Sequence, residues 1–307
     1  MDGDALSCST GHTYPYVDGI PVMLLPEETP TLGAFAQTFR RIEQFVAERA
    51  WPAIESSANG QGVDPYVQDQ IGATNGNLYR SLINNLPRYP IPDLPLSESQ
   101  GQTLLEIGCN WGRWCISASR KGYCVIGIDP SLDAILAARR VARQLDCEIA
   151  YLVADARHLP FRPSSIDVVF SYSVLQHFYK PDVYAALVQF AQILKPAGKC
   201  LVQMPNTFGL HNLSIQVRYG FREPGYFSAR YWRPAELQTA FGCTLGSARL
   251  FADGYFSLNP QSTDKDLLPR RYRLIVSLSD FLRNLSKHLP GLKYLADSLY
   301  VESVRRL

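Results

Sequence analysis

Residues 104–112 read Leu104-Leu105-Glu106-Ile107-Gly108-Cys109-Asn110-Trp111-Gly112, and this stretch decides the fold. A short, mostly apolar run closed by a glycine reads as a buried strand. Glycine lacks a Cβ, so Gly108 and Gly112 let the backbone turn sharply and approach a ligand. Downstream, residues 124–129, 149–153, 166–172 and 199–204 are further apolar runs of strand length. Helical patterns separate them, at 112–121, 132–145 and 182–194. In the second, Leu132, Ile135, Leu136, Val141, Ala142 and Leu145 share one face. Strand and helix in alternation predict an α/β chain, a Rossmann-like doubly wound sheet with helices on both faces.

Working outward, a short helix is expected at 234–241, a sixth strand at 244–251 and a helix at 270–287. A last strand is expected at 298–304, where Leu299, Val301 and Val304 recur. Upstream, Pro87, Pro90, Pro92 and Pro95 form a linker that is neither helix nor central strand. Before it, helices are predicted at 32–51, with Phe35, Phe39, Ile42, Phe45 and Val46 on one face, and at 66–85, with a loop at 56–65. The turn-rich first 30 residues suggest a small hairpin.

The chain has 307 residues, 46% apolar and 19% charged, which fits a sizeable core. The net charge of +2 points to no particular partner. Its distribution is uneven, because residues 267–307 hold eight Lys and Arg against three acids. A solvated helix face is the plain expectation there, and attraction to an anionic surface is the alternative. The seven cysteines are odd in number and unpaired in spacing. No signal-peptide pattern opens the chain, and no run approaches about 18 apolar residues. Reduced thiols and a cytoplasmic location are the expectation.

Ligands of open parallel sheets sit beyond the carboxyl ends of the strands, where strand order reverses. Asp129 ends the second strand, 21 residues after Gly108, the offset at which a carboxylate meets a ribose diol. Asp155 ends the third and can accept a hydrogen bond from an adenine amino group. A nicotinamide site wants G-x-G-x-x-G around a pyrophosphate. Here the loop reads G-x-x-x-G, Cys109 holds the second-glycine position, and Glu106 would repel a pyrophosphate. S-adenosylmethionine (SAM) carries a sulfonium and an ammonium and no phosphate, so an acidic loop suits it.

Leu105 to Gly112 resembles the first motif of class I SAM-dependent methyltransferases. Gly127-Ile128-Asp129-Pro130-Ser131 is similar to their second-strand acidic motif. Asp155-Ala156 with Leu159-Pro160-Phe161 resembles the third, and 167–171 with 174–177 the fourth. The turn at 194–199 resembles the one before their fifth strand. The resemblance implies about seven strands, the last antiparallel, with SAM as cofactor. It puts Glu106 and Asn110 at the methionine end and the backbone of Gly108, Cys109 and Gly112 around it. Asp129 and Pro130 go to the ribose, Asp155 and Ala156 to the adenine, and Ser171 to the cofactor face. Trp111 reads equally as core. Residues 8–24 resemble half of a zinc-ribbon-like partner domain of methyltransferases. Gly11 replaces its last cysteine, so Cys8 and His12 supply at most two of four zinc ligands and no metal is expected. The expected organisation is thus a 1–30 remnant, a 31–99 helical segment and a 100–307 methyltransferase domain. That domain carries insertions at 205–233 and 252–296.

Methyl transfer is an in-line displacement, for which the protein mainly supplies position. His177, after the fourth strand, is the candidate base. Tyr79, Arg80, His211, Arg222 and Tyr231 are expected to line an acceptor pocket. The expected acceptor is an O, N or C nucleophile of a small-molecule or biosynthetic intermediate. RNA or protein methylation, a non-catalytic SAM-fold subunit and a dehydrogenase are the alternatives. A non-catalytic subunit would lack Glu106, Gly108 or Asp129, and all three are present.

Overall fold

The computed structural model describes residues 5–8, 11–24, 33–48, 62–222, 228–256 and 261–306. Strand β4 (Thr103–Ile107) pairs in parallel with β5 (Cys124–Asp129) on one side and β7 (Ile166–Ser171) on the other. Strand β6 (Ile149–Ala154) extends the sheet beyond β5, and β8 (Leu194–Pro205) extends it beyond β7. The chain therefore steps outward from β4 to β6, then returns to the far side. The reversal falls between β4 and β7, the place where open sheets bind ligands. At the other end, β10 (Ser298–Arg305) lies antiparallel between β8 and β9 (Gly246–Gly254). The antiparallel last strand matches the expectation.

The strand count does not. Strands β1 (Ala5–Ser7), β2 (Thr13–Val17) and β3 (Ile20–Met23) form hairpins, as read from the sequence. But β3 also pairs in parallel with β6, with Val22 opposite Val153 and Met23 opposite Ala154. The sheet thus has ten strands among the described residues rather than about seven. The physical reason is edge protection: without β3, β6 would expose a row of unpaired backbone groups. Ile20 and Val22 point into the same core as Val153, so the hairpin gains burial as well.

Helices α3 (Arg113–Arg120) and α4 (Leu132–Gln144) cover one face of the sheet, burying Trp114, Cys115, Ile135 and Leu136. Helices α5 (Lys180–Ile193) and α7 (Pro234–Thr244) cover the other, burying Val183, Leu187, Leu237 and Phe241. Both faces are dry, as a parallel sheet requires.

Two N-terminal helices lie at the carboxyl edge. In α1 (Gly33–Glu48), the buried Thr38 hydroxyl donates to the Pro130 carbonyl (2.8 Å) and accepts from the Leu132 N–H (3.1 Å). Arg41 pairs with Asp133 at 2.9 Å. Helix α2 (Pro65–Thr74) starts on Asp64, whose carboxylate caps the Tyr66 N–H and is gripped by Arg140. The helix expected over 66–85 is divided. Gly76, at φ +104°, breaks it, and a 3-10 turn follows at Asn77–Leu82. The remaining helices are α6 (Leu210–Arg218) and α8 (Arg270–Leu285). The side chains of Phe35, Phe45 and Val46 and the loop at 56–61 lie outside the described residues.

Candidate functional site

The loop after β4 turns through three left-handed residues, Gly108 (φ +69°), Asn110 (φ +47°) and Gly112 (φ +81°). The N–H groups of Gly108 and Cys109 both donate to the Ile128 carbonyl, at 2.8 and 2.9 Å, which ties the loop to β5. Gly112 is required sterically as well: a Cβ there would stand 2.5 Å from the Tyr151 hydroxyl.

Asp129 joins the two loops. One carboxylate oxygen accepts from the Asn110 N–H (3.0 Å) and the other from the Ser131 N–H (2.9 Å). Burial pushes its pKa up to about 6, while those two N–H groups pull it down. It stays largely ionised at neutral pH. Beside it, Pro130 carries the carbonyl that receives Thr38.

Glu106 is fully enclosed. Burial pushes its pKa up to about 8, against the thiol and N–H of Cys115 and the charge of Arg113. Its Oε2 has no hydrogen-bond partner among the described residues. Arg113 is buried too, at 6% exposure, and its Nη1 likewise has no partner among them. The guanidinium lies over the rings of Trp114 and Tyr172, 5.4 and 5.6 Å from their centroids. A buried carboxyl and a buried guanidinium thus flank the loop, each with one polar atom unanswered among the described residues. Burying such groups without a partner is costly.

The sequence reading missed Arg113, although a signal was present. A cation directly after Gly112, in the first turn of α3, opposes the helix dipole. Tyr66 was also missed. Its hydroxyl lies against the Asn110 and Ser131 side chains, and burial and then Asp129 push its titration up. Helix α2 therefore reaches the site through Tyr66, not through the 3-10 turn that follows.

Other expected residues fall differently. Asp155 is buried, with one oxygen accepting from the Arg157 N–H and the other from Nε and Nη2 of the Arg157 side chain. Ala156 is buried beside it. The Ser171 hydroxyl is fully buried and donates to the Ile107 carbonyl (3.2 Å). The Cys109 thiol is buried against Cys115 and pushed up to about 11 by burial. Trp111 is core, tilted against Tyr89.

His177 ends a 3-10 turn at Leu175–His177, just beyond β7. Arg230 brackets that turn, its N–H donating to the Gln176 carbonyl (2.7 Å) and its Nη1 to the His177 carbonyl (2.8 Å). Burial, then the Arg230 charge, lowers the imidazole to about 4. The five expected acceptor residues do not converge. Tyr79 is buried and donates to Asp264 (2.6 Å), pinning its turn to the 262–267 segment. Arg80 is exposed, and His211 lies exposed at the start of α6. Arg222 and Tyr231 do share a cavity of about 870 Å³, with Arg218 and Tyr219. Tyr226 and Phe227 lie outside the described residues.

Comparison with known proteins agrees with this geometry. A family model described as a methyltransferase domain matches residues 104–198. A ubiquinone biosynthesis O-methyltransferase of Brucella anthropi is 32% identical over 165 residues, 52% of this chain and 65% of that protein. Phosphoethanolamine N-methyltransferase 2 of Caenorhabditis elegans is 35% identical over 106 residues, 34% of this chain and 24% of that protein. The chain thus spans less than two thirds of either relative. Among solved structures, Haemonchus contortus phosphoethanolamine N-methyltransferase 2, bound to phosphomonomethylethanolamine and S-adenosylhomocysteine, shares the fold. It has a TM-score of 0.52 at 18% identity, covering 94% of this chain and 62% of that one. Residues 104–198 thus match a methyltransferase domain, and the chain shares its fold with a solved methyltransferase.

Proposed function

We propose that this chain transfers the methyl group of SAM to an O, N or C nucleophile of a small-molecule acceptor. The observation that carries the reading is the pair of buried polar atoms at the loop with no partner among the described residues, Glu106 Oε2 and Arg113 Nη1. The methionine half of SAM presents an ammonium and a carboxylate, which answer both. Glu106 would face the cationic end and Arg113 the carboxylate, with Asn110 beside them. Asp129 would hold the ribose, and Asp155 would turn its oxygen not shared with the Arg157 side chain toward the adenine. Tyr66 and α1 would close the ribose side and exclude water. When bound, SAM supplies a sulfonium methyl with a good leaving group. The protein then needs chiefly to align the nucleophile.

The small-molecule class is supported by the relatives, whose names refer to ubiquinone biosynthesis and to phosphoethanolamine. The test is to incubate the full chain with methyl-labelled SAM and a cell extract. Label is expected in the small-molecule fraction. Label confined to RNA or protein would contradict the acceptor class.

His177 is the proton acceptor in this proposal. At about 4, its imidazole is neutral across the working pH range and holds a proton weakly. Replacing it by Ala is expected to lower turnover about 10²-fold, the low end for a general base. The pH–rate profile should show no acidic limb at the ordinary histidine value of 6.5. A limb near 6.5 that disappears in His177→Ala would contradict the buried, neutral imidazole.

A further inference from the structure

Two helices at the carboxyl edge turn apolar side chains to solvent. In α8, Leu274, Leu278 and Phe281 follow a helical stripe and are 75%, 49% and 61% exposed. In α6, Leu213 and Val217 do the same, Val217 at 64%. Isolated exposed apolar residues are ordinary, but stripes along two helices are not.

The two helices are fastened to the same edge of the sheet. Asp297, just before β10, accepts from the N–H groups of His211 and Asn212 at the start of α6. Asn206, just after β8, donates to the carbonyls of Tyr294 and Ala296. The Ser279 hydroxyl of α8 accepts from the Tyr255 N–H, and the Tyr255 hydroxyl reaches the Leu292 carbonyl. These segments join strand ends on the side where Gly108 and Asp129 lie.

Charge selects the occupant. Residues 206–222 include Arg218 and Arg222 and no acid. Residues 268–296 include six Lys and Arg and one acid, Asp280. That acid is held by Lys265 (2.6 Å) and Arg283 (2.9 Å). The two segments that carry the apolar stripes thus hold eight Lys and Arg and one acid, Asp280, which is paired. A second copy of this chain would bring like charges face to face. A nucleic acid would answer the cations but not the aliphatic side chains. An anionic lipid bilayer answers both, with headgroups for the cations and acyl chains for Leu274 and Phe281. No described helix is long and apolar enough to cross a membrane, so the contact would be interfacial.

We propose that α6 and α8 dock this chain on the surface of an anionic lipid bilayer. The carboxyl edge of the sheet would then face the membrane. If the methyl-transfer reading holds, apolar acceptors dissolved in the lipid would reach the site from that side.

The test is sedimentation of the full chain with two kinds of vesicle, phosphatidylcholine alone and phosphatidylcholine mixed with phosphatidylglycerol. Binding to the anionic vesicles is expected to be at least about tenfold stronger, and to weaken as salt shortens the screening length. The double variant Leu274→Glu/Phe281→Glu, at exposed positions, is expected to lose binding while keeping its melting temperature and SAM affinity. Equal binding to both vesicles, or none to either, overturns the proposal. So does a solution dimer that the same variant abolishes. SAM binding measured in parallel keeps the two ideas apart: vesicle binding can fail with SAM affinity intact, and the reverse.

Discussion

Replacing Glu106 by Gln is expected to lower SAM affinity about a hundredfold, the scale of a lost buried charge interaction. The same change is expected to stabilise the free protein at alkaline pH. The native carboxyl is raised to about 8 from an ordinary 4.5. A raised carboxyl contributes stability fully below its unfolded value, and loses that contribution as pH rises through its folded value. The wild-type protein should therefore weaken between about pH 5 and pH 8, and the Gln variant should weaken less. Calorimetric titration with SAM checks the first half, and thermal unfolding of both proteins across this range the second. A Gln variant that is less stable at alkaline pH would show that Glu106 is a structural group. A residue that destabilises the free fold and strengthens the complex is what a functional site predicts.

Gly112→Ala carries the second large effect. At φ +81° the new Cβ would meet the Tyr151 hydroxyl at 2.5 Å and the Ala138 methyl at 3.3 Å. Left-handed backbone costs an alanine about 1–2 kcal/mol, and overpacking about 1–3 more. A total loss near 3 kcal/mol is expected, with loss of SAM binding because the loop must shift. Tyr151→Phe removes the hydroxyl, which has no hydrogen-bond partner among the described residues. In the double variant the steric part should return and the backbone part should remain, a coupling that a double-mutant cycle measures. Simple additivity of the two changes would contradict the contact.

Much of this was legible in the sequence, for physical reasons. From 103 to 205 the strands are short apolar runs buried on both faces and the helices between them bury one face, so pattern sets position. Glycines at 108 and 112 and acids at 106 and 129 stand out because few residue types suit those backbone and charge requirements. The tertiary partners were not legible. Nothing local tells that Val22 pairs with Val153, or that Tyr79 ends on Asp264, 185 residues away. Gly76 signalled the break in the second helix but was read through. Arg157 was invisible as the partner of Asp155, although only Ala156 lies between them, because its side chain must fold back to make the contact. The acceptor residues scattered for a related cause: composition names aromatic and basic side chains but not the direction in which they point.

The most direct test of the central claim is calorimetric titration of the full chain with SAM and, separately, with NAD, in buffers of different ionisation enthalpy. One SAM is expected to bind per chain. A bound cation favours the Glu106 carboxylate, so binding below about pH 8 should release a proton and affinity should rise with pH. NAD should not bind. Binding of NAD without SAM, or SAM binding with no proton released, would contradict the account.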